Sequence, residues 1–438
     1  MGIAPLPFRA GLERYQRQAT DLVKAYHSGG REAIYCIRQL HPRLRGRAHT
    51  NDRNDVTDAE ICDAGVALAD AQCVVARWYG FEDWPPLAEF VDAVIRKGSS
   101  DWQFESAVEA IITGDVATLK RLLADNRELI RARSPREHHA TLLHYVGANG
   151  VEGYRQRTPK NAVKVAEILL KAGAEVDADL DYGSLRRIYP ERRGSTPLGL
   201  VATSVHPAAA GVQIGLLKIL LKHGASVDGL ARGWNPLIAA LRNGRPEAAA
   251  FLARCGARLD LEGAAGVGRL DFVKGFFKKD GAVKVNATKA QMESGFMWAC
   301  QYGRISVVAF LLAKGMRVGA RPHGETGLHQ AAYGGHPGIV KLLLKRKAPV
   351  DVQDERYKNT PLGWALHGWL YPPPEAKRRN HVKVVAFLVA AGATVDRAWL
   401  EKNEEGRKVR ADASMLAALS GRTPQFEKCV ERKLKKFS

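Results

Sequence analysis

The sequence predicts an all-α solenoid of stacked helix pairs with a separate helical cap at its N-terminal end. Three observations predict it. One apolar helix ending recurs six times, at residues 165–173, 217–224, 249–256, 308–315, 340–347 and 385–392. In every copy a leucine stands four residues before the terminator: Leu169, Leu220, Leu252, Leu311, Leu343 and Leu388. The terminators, Gly173, Gly224, Gly256, Gly315, Lys347 and Gly392, are separated by 51, 32, 59, 32 and 45 residues. Those intervals reduce to one period of about 33, once doubled and twice lengthened by insertion. A unit of that size cannot bury its apolar face alone and must stack on its neighbours.

The elements follow in order. Residues 9–27 read as an amphipathic helix stopped by Gly29-Gly30, and 31–40 as a second one stopped before Pro42. Thr57 is placed to cap a long helix over 58–79, and residues 81–86 (FEDWPP) form a turn before a helix over 87–97. This stretch, 1–98, lacks the period and reads as a cap that shields the first repeat from water. Residues 99–396 hold eight units, opening near Phe104, Thr141, Thr196, Asn235, Gly263, Gly295, Thr326 and Thr360. Thr or Asn caps the free amides at several openings, and Pro197, Pro236 and Pro361 take the first helical position, where no donor is needed. Near Gly263, residues 262–271 stand in place of a proper first helix. Residues 397–438 close the chain, with helix over 395–421 and a basic run over 422–436.

Four motifs carry a family resemblance. Thr141-Leu142-Leu143-His144 and Thr326-Gly327-Leu328-His329 are similar to the T-P-L-H opening of ankyrin repeats, each with Pro replaced. Residues 335–344 (GHPGIVKLLL) resemble the second helix of an ankyrin unit, and LADAQ at 68–72 with GFEDWP at 80–85 resembles the helical extension preceding ankyrin repeats in many bacterial proteins. The resemblance covers about 104–396 and implies an all-α ankyrin-repeat solenoid that binds a partner, commonly through the concave face of hairpin tips and first helices. It also implies a structural role for His144 and His329. Lys347 departs from the pattern, standing where glycine is expected.

Composition narrows the function. The 438 residues carry 66 basic and 46 acidic side chains, a formal net charge of +20. Residues 1–98 hold 13 of each sign, whereas 195–398 hold 28 basic and 13 acidic ones, a surplus of +15. Such a surplus steers an acidic protein, nucleic acid or another anionic surface. Six cysteines without C-x-x-C or metal-ligand spacing read as reduced thiols of a cytoplasmic protein, with no metal and no cofactor. No apolar run of about eighteen residues offers a membrane span. GAAGVG at 263–268 lacks the lysine and preceding strand of a phosphate loop, and reads instead as small residues for close packing.

The functional expectation is a non-enzymatic scaffold that recognises a protein partner, acidic in character, through its concave or edge surface. The matching first-helix positions are Tyr145, Trp298, Tyr302, Tyr333, Trp364 and His367, aromatics of the kind that anchor interfaces and equally pack repeats together. Three insertions, 147–161, 203–213 and 367–380, lengthen links within units. The first two lie in adjacent units, so Glu152, Tyr154, Arg155, Arg157, Lys160 and His206 are expected to converge. Convergent Arg and Tyr suit a small anionic ligand, and Glu152 with His206 would permit acid–base chemistry. Arg186, Arg187, Arg192 and Arg193 lie in a neighbouring hairpin insertion. A ligand-binding protein or enzyme at these insertions is one alternative, and nucleic-acid binding through the basic repeats is another.

Overall fold

The computed structural model describes residues 3–44, 56–180, 195–230, 235–373 and 377–421. Arg186, Arg187, Arg192, Arg193 and the basic run 422–436 lie outside them. The regular elements of the described residues are all helices, with two isolated antiparallel bridges, Arg133 with Thr141 and Phe277 with Val283, in place of strands. Contacts divide the chain into Met1–Gly256 and Ala257–Ser438.

Met1–Gly256 begins with five helices, Leu12–His27, Arg31–Leu40, Asp58–Asp63, Leu68–Trp78 and Trp84–Val94. Their apolar faces meet in one cluster around Tyr15, Leu22, Ile37, Ile61, Val74 and Leu87. The single helix expected over 58–79 is two. Thr57 and Glu60 cap the first reciprocally, Gly65 then takes φ 67°, and Asp70 accepts the Ala67 amide to open the second. The expected turn is confined to 81–83, and helix begins at Trp84, because Asp83 caps Trp84 and the two prolines fall in the first turn, where their missing amides cost nothing.

Four helix pairs follow: Ser100–Thr113 with Val116–Asp125, Leu142–Gly147 with Ala162–Lys171, Pro197–Thr203 with Gln213–Lys222, and Pro236–Arg242 with Pro246–Arg254. Leu142–Gly147 is a 3-10 helix, ended by Ala148 in the left-handed region at φ 45°. Ala257–Ser438 holds four more pairs: Leu261–Val267 with Leu270–Gly275, Lys289–Gln301 with Ile305–Ala313, Gly327–Tyr333 with Pro337–Lys345, and Pro361–Leu370 with Arg378–Ala390. Three short helices end it, Arg397–Lys402, Glu404–Ala411 and Ala413–Leu419. In this half the first helices touch one another in sequence order and the second helices do the same, giving two layers.

Residues 262–271 are therefore not a substitute for a first helix. Asp260 accepts the Gly263 amide, the helix runs Leu261–Val267, and Gly268 at φ 83° ends it. Its small residues let the next unit come close: a side chain on Gly295 would meet the Ala265 Cβ at 2.9 Å. Gly327 replaces the family's proline for a similar reason, since a Cβ there would lie 2.6 Å from the Phe296 ring.

The recurrent helix ending has a common physical basis. All six leucines are buried. In five copies the amide after the terminator donates back to the leucine carbonyl: Ala174 to Leu169, Ala225 to Leu220, Met316 to Leu311, Ala348 to Leu343 and Ala393 to Leu388. That bond requires a left-handed residue between them. Gly173, Gly224, Gly256, Gly315 and Gly392 take φ between 88° and 95°, and Lys347 takes φ 60° without a glycine's freedom.

Candidate functional site

Two groupings of side chains stand out, one in each half. In Ala257–Ser438 the first-helix layer carries a half-buried stripe of rings. Trp298 stacks on Tyr302 and on His323, each with centroids 6.4 Å apart. Tyr333 meets Trp364 edge-on at 6.1 Å and stacks on His367 at 6.2 Å, and His367 reaches Tyr371 at 5.1 Å. Helical spacing makes the stripe, because Trp298 with Tyr302 and His367 with Tyr371 are four residues apart.

Carboxylates fix the rings. Trp298 Nε1 donates to Glu262 at 2.9 Å, Trp364 Nε1 to Asp354 at 3.1 Å, and the Tyr371 hydroxyl to Glu405 at 2.8 Å. Asp354 also accepts the Arg356, Tyr357 and Asn359 amides, which builds the hairpin tip before Thr360. Burial opposes ionisation of Asp354, but the Tyr357 amide, the indole and the other donors outweigh it and hold the carboxyl below its ordinary range. Glu325, beside Gln330, is pushed up by burial. At the end of the stripe a cavity of about 320 Å3 lies between Thr360–Leu370 side chains and the closing helices, lined by Leu366, His367, Asp396, Trp399 and Glu405 among others.

In Met1–Gly256 the charge is inside. Glu105, on the buried face of Ser100–Thr113, meets Arg136 Nη1 at 2.5 Å and Arg155 Nη2 at 2.5 Å. Arg136 Nε donates to the Tyr79 carbonyl at 3.0 Å, with Glu152 Oε1 2.7 Å away. The Tyr145 hydroxyl donates to Glu152 at 3.3 Å, and His138 Nε2 lies 3.4 Å from the same oxygen. Two carboxylates and two guanidiniums balance. Burial alone would raise Glu105 and Glu152, but Arg136 with Arg155, and Arg136 with His138, respectively overturn it and hold both carboxyls below their ordinary range. Burial would lower both arginines, and the carboxylates raise them instead, Glu105 first.

The cluster ties the N-terminal helices to the first repeats. The Arg136 guanidinium lies over the Phe90 ring at 4.6 Å, and Glu137 donates its amide to Gly80. Gly80 sits at φ 87°, where a side chain would meet Arg136 Cδ at 3.2 Å. Tyr154 stacks on Trp78 at 5.1 Å. Burial pushes its hydroxyl up to about 12.

The expected convergence at the insertions is met only in part. The two insertions do touch: Asn149 donates to Thr203 at 2.8 Å, and Ser204 donates to the Ala148 carbonyl at 3.1 Å. Glu152, Tyr154 and Arg155 come together but turn inward onto Glu105 and Arg136. Arg157 and Lys160 are exposed, and His206 is half-buried in Val205–Ala209 with no hydrogen bond to Glu152 among the described residues. Tyr145, expected on a partner-facing helix, is fully buried, since the edge of its ring packs on Phe104 and its hydroxyl is drawn to Glu152. Trp298, Tyr302, Tyr333 and Trp364 all lie in the stripe.

His144 and His329 are buried alike. Nδ1 of each accepts the amide of the preceding motif threonine, Thr141 at 3.0 Å and Thr326 at 3.1 Å. Nε2 then donates across to the next hairpin, to Ala178 at 3.0 Å and to Asn359 at 3.2 Å. Burial pushes the His144 imidazole down to about 3 and lowers that of His329.

Glu105, Arg136, Glu262 and Asp354 were not anticipated from sequence. The signal for Glu105 was present: a lone carboxylate within the apolar run Phe104, Ala107, Val108, Ile111 must find a cation if that face is buried. Among the described residues no cluster of His, Cys, Asp and Glu could hold a metal ion, and no helix is long and apolar enough to cross a membrane.

Comparison with known proteins agrees with this geometry. The family described as ankyrin repeats (3 copies) matches residues 261–354 and 296–399. The chain is 32% identical over 136 residues to the E3 ubiquitin-protein ligase hecd-1 of Caenorhabditis elegans, covering 31% of this chain and 4% of that protein. It is 31% identical over 130 residues to the E3 ubiquitin-protein ligase Ufd4 of Drosophila melanogaster, covering 30% of this chain and again 4% of the relative. The crystal structure of the human ASB11 ankyrin repeat domain matches with a TM-score of 0.33 and 19% identity, over 66% of this chain and 99% of that one. The chain thus spans about 4% of the length of these curated relatives. Residues 261–399 are thus similar to ankyrin repeats, and the regular elements among the described residues are all helices.

Proposed function

We propose that this chain is a non-enzymatic recognition scaffold that binds a protein partner through the ring stripe of Ala257–Ser438. One observation carries the reading: Trp298, Tyr302, Tyr333 and Trp364 are half-exposed on one layer, with the indoles of Trp298 and Trp364 held by Glu262 and Asp354. Rings held in one orientation lose little freedom on binding, which is how aromatic anchors gain affinity. The carboxylates beside them, with Glu325 and Glu405, favour a partner segment rich in cations or amide donors at this stripe. Ankyrin repeats support binding of a protein; the ligase relatives share only a short stretch, and no ligase chemistry is carried over to this chain. A cytoplasmic setting fits the free thiols of Cys36, Cys62, Cys73, Cys255 and Cys300. A small-anion site or enzyme at 147–161 and 203–213 is disfavoured by the inward pairing of Glu152 and Arg155.

The test is affinity capture from the native host with the full chain and with Tyr333→Ala/Trp364→Ala. Removing two anchors is expected to weaken a captured partner at least about 30-fold, following hot-spot truncations of 2 kcal/mol or more. Helical circular dichroism should survive. If the same proteins are captured at the same yield by the folded double variant, the stripe is not the binding face.

A further inference from the structure

Charge in Ala257–Ser438 is sorted by layer. The second-helix stretches 303–321, 334–350 and 377–393 contain twelve basic residues and no acidic one. The first-layer stretches 260–268, 289–301 and 322–333 contain four acidic residues and one basic residue, Lys289, which faces Glu293 one turn on, while 351–371 is mixed. The three second helices Ile305–Ala313, Pro337–Lys345 and Arg378–Ala390 touch one another in order, so their outward side chains form one continuous face. Lys341, Lys345, Arg346 and Lys383 are exposed on it, and none makes an ion pair among the described residues. Lys341 lies over the Phe387 ring of the adjacent helix at 4.5 Å, which holds its ammonium on the face.

Three helices side by side span roughly 20 Å, given 8–10 Å between packed axes. Over that length a nucleic-acid duplex presents about twelve phosphate charges, one per ~1.7 Å of axis. A protein interface needs an apolar centre with anchoring rings, and on these three helices the only large apolar side chain standing in water is Ile305. A membrane-surface helix needs an apolar face to insert, and these helices bury theirs against the first layer. Docking on a phosphate backbone needs only cations in a row.

We propose that the outer layer over 303–393 docks the phosphate backbone of nucleic acid without reading its sequence, on the face opposite the ring stripe. The experiment measures binding of the full chain to a fluorescent random-sequence duplex between about 50 and 200 mM salt. It compares the wild type with Lys341→Glu/Lys345→Glu/Lys383→Glu and with Lys120→Glu/Lys218→Glu/Lys222→Glu, exposed lysines of Met1–Gly256 giving the same change of net charge. The outer triple variant is expected to bind at least tenfold more weakly, with a log–log salt slope flatter by about 0.9 for each phosphate no longer neutralised. The control is expected to stay within twofold. Equal weakening in both variants would overturn the proposal, as would wild-type binding that is absent at the lowest salt. Tighter binding to phosphatidylserine vesicles than to the duplex, abolished by the outer triple, would assign the face to a membrane instead.

Discussion

The two halves treat charge in opposite ways. Met1–Gly256 draws Glu105, Arg136, Glu152 and Arg155 into its interior and pairs exposed charges locally, as Lys164 and Lys171 do with Glu167. Ala257–Ser438 buries single carboxylates, Glu262 and Asp354, against indole and amide donors rather than against cations, and over 303–393 its exposed cations gather on the second-helix layer. A buried pair specifies geometry at a desolvation cost, whereas an unpaired surface row adds little stability and remains available to a partner. The comparison therefore assigns one half to holding the N-terminal helices in place and the other to recognition.

The comparison breaks most directly at Arg136. Arg136→Met removes the cation shared by two buried carboxylates and should cost about 3–5 kcal/mol, the range for stranding a buried charge. Hydrogen exchange would show the effect in Leu12–His27 and Leu68–Trp78, while amides of Pro337–Lys345 keep their protection. Reversing Lys345, by contrast, should leave exchange in both halves unchanged. If Arg136→Met exchanges like the wild type in the N-terminal helices, the buried cluster does not hold them.

A milder effect is a pH dependence that the two halves share in sign. Unfolded, His144 takes up a proton near 6.5; folded, burial defers this to about 3. Between those values the unfolded chain binds more protons, so stability falls as pH falls, by about 1.4 kcal/mol per unit. The paired carboxylates, held below 4.5, enter only at lower pH, which leaves the window from 6.5 to about 5 to the histidines. Exchange in Leu142–Gly147 should quicken over that window, and a folded His144→Gln variant should lose the dependence there. His329, lowered in the same direction, gives Ala257–Ser438 the same sign.

These sites differ in how far the sequence revealed them. The repeats were legible because a helix ending is local: leucine, terminator and spacing are all within a few residues. The capping threonines and His144 and His329 were legible for the same reason. Glu105 pairs with Arg136 across 31 residues and Arg136 reaches the Tyr79 carbonyl across 57, distances over which composition carries no register. The insertion 147–161 looked like an exposed polar loop because its Glu152 and Arg155 are ordinary surface residues until an opposite charge meets them inside. The layer sorting of charge needed the helix pairs to be aligned first, since along the chain it reads only as a surplus of +15.

The finest contrast lies at the terminators. Five glycines take φ near 90° at no steric cost, and Lys347 takes φ 60° with a Cβ that the left-handed region disfavours by about 1 kcal/mol. Lys347→Gly should therefore raise stability by about that amount, read as a higher melting temperature. Lys347 also belongs to the outer basic layer, so relief of self-repulsion could raise the midpoint without any backbone effect. Lys347→Ala separates the two, since it removes the charge and keeps the Cβ. A gain with glycine and none with alanine locates the strain in the backbone; equal gains would mean that the crowded cations, not the left-handed turn, limit the stability of this repeat.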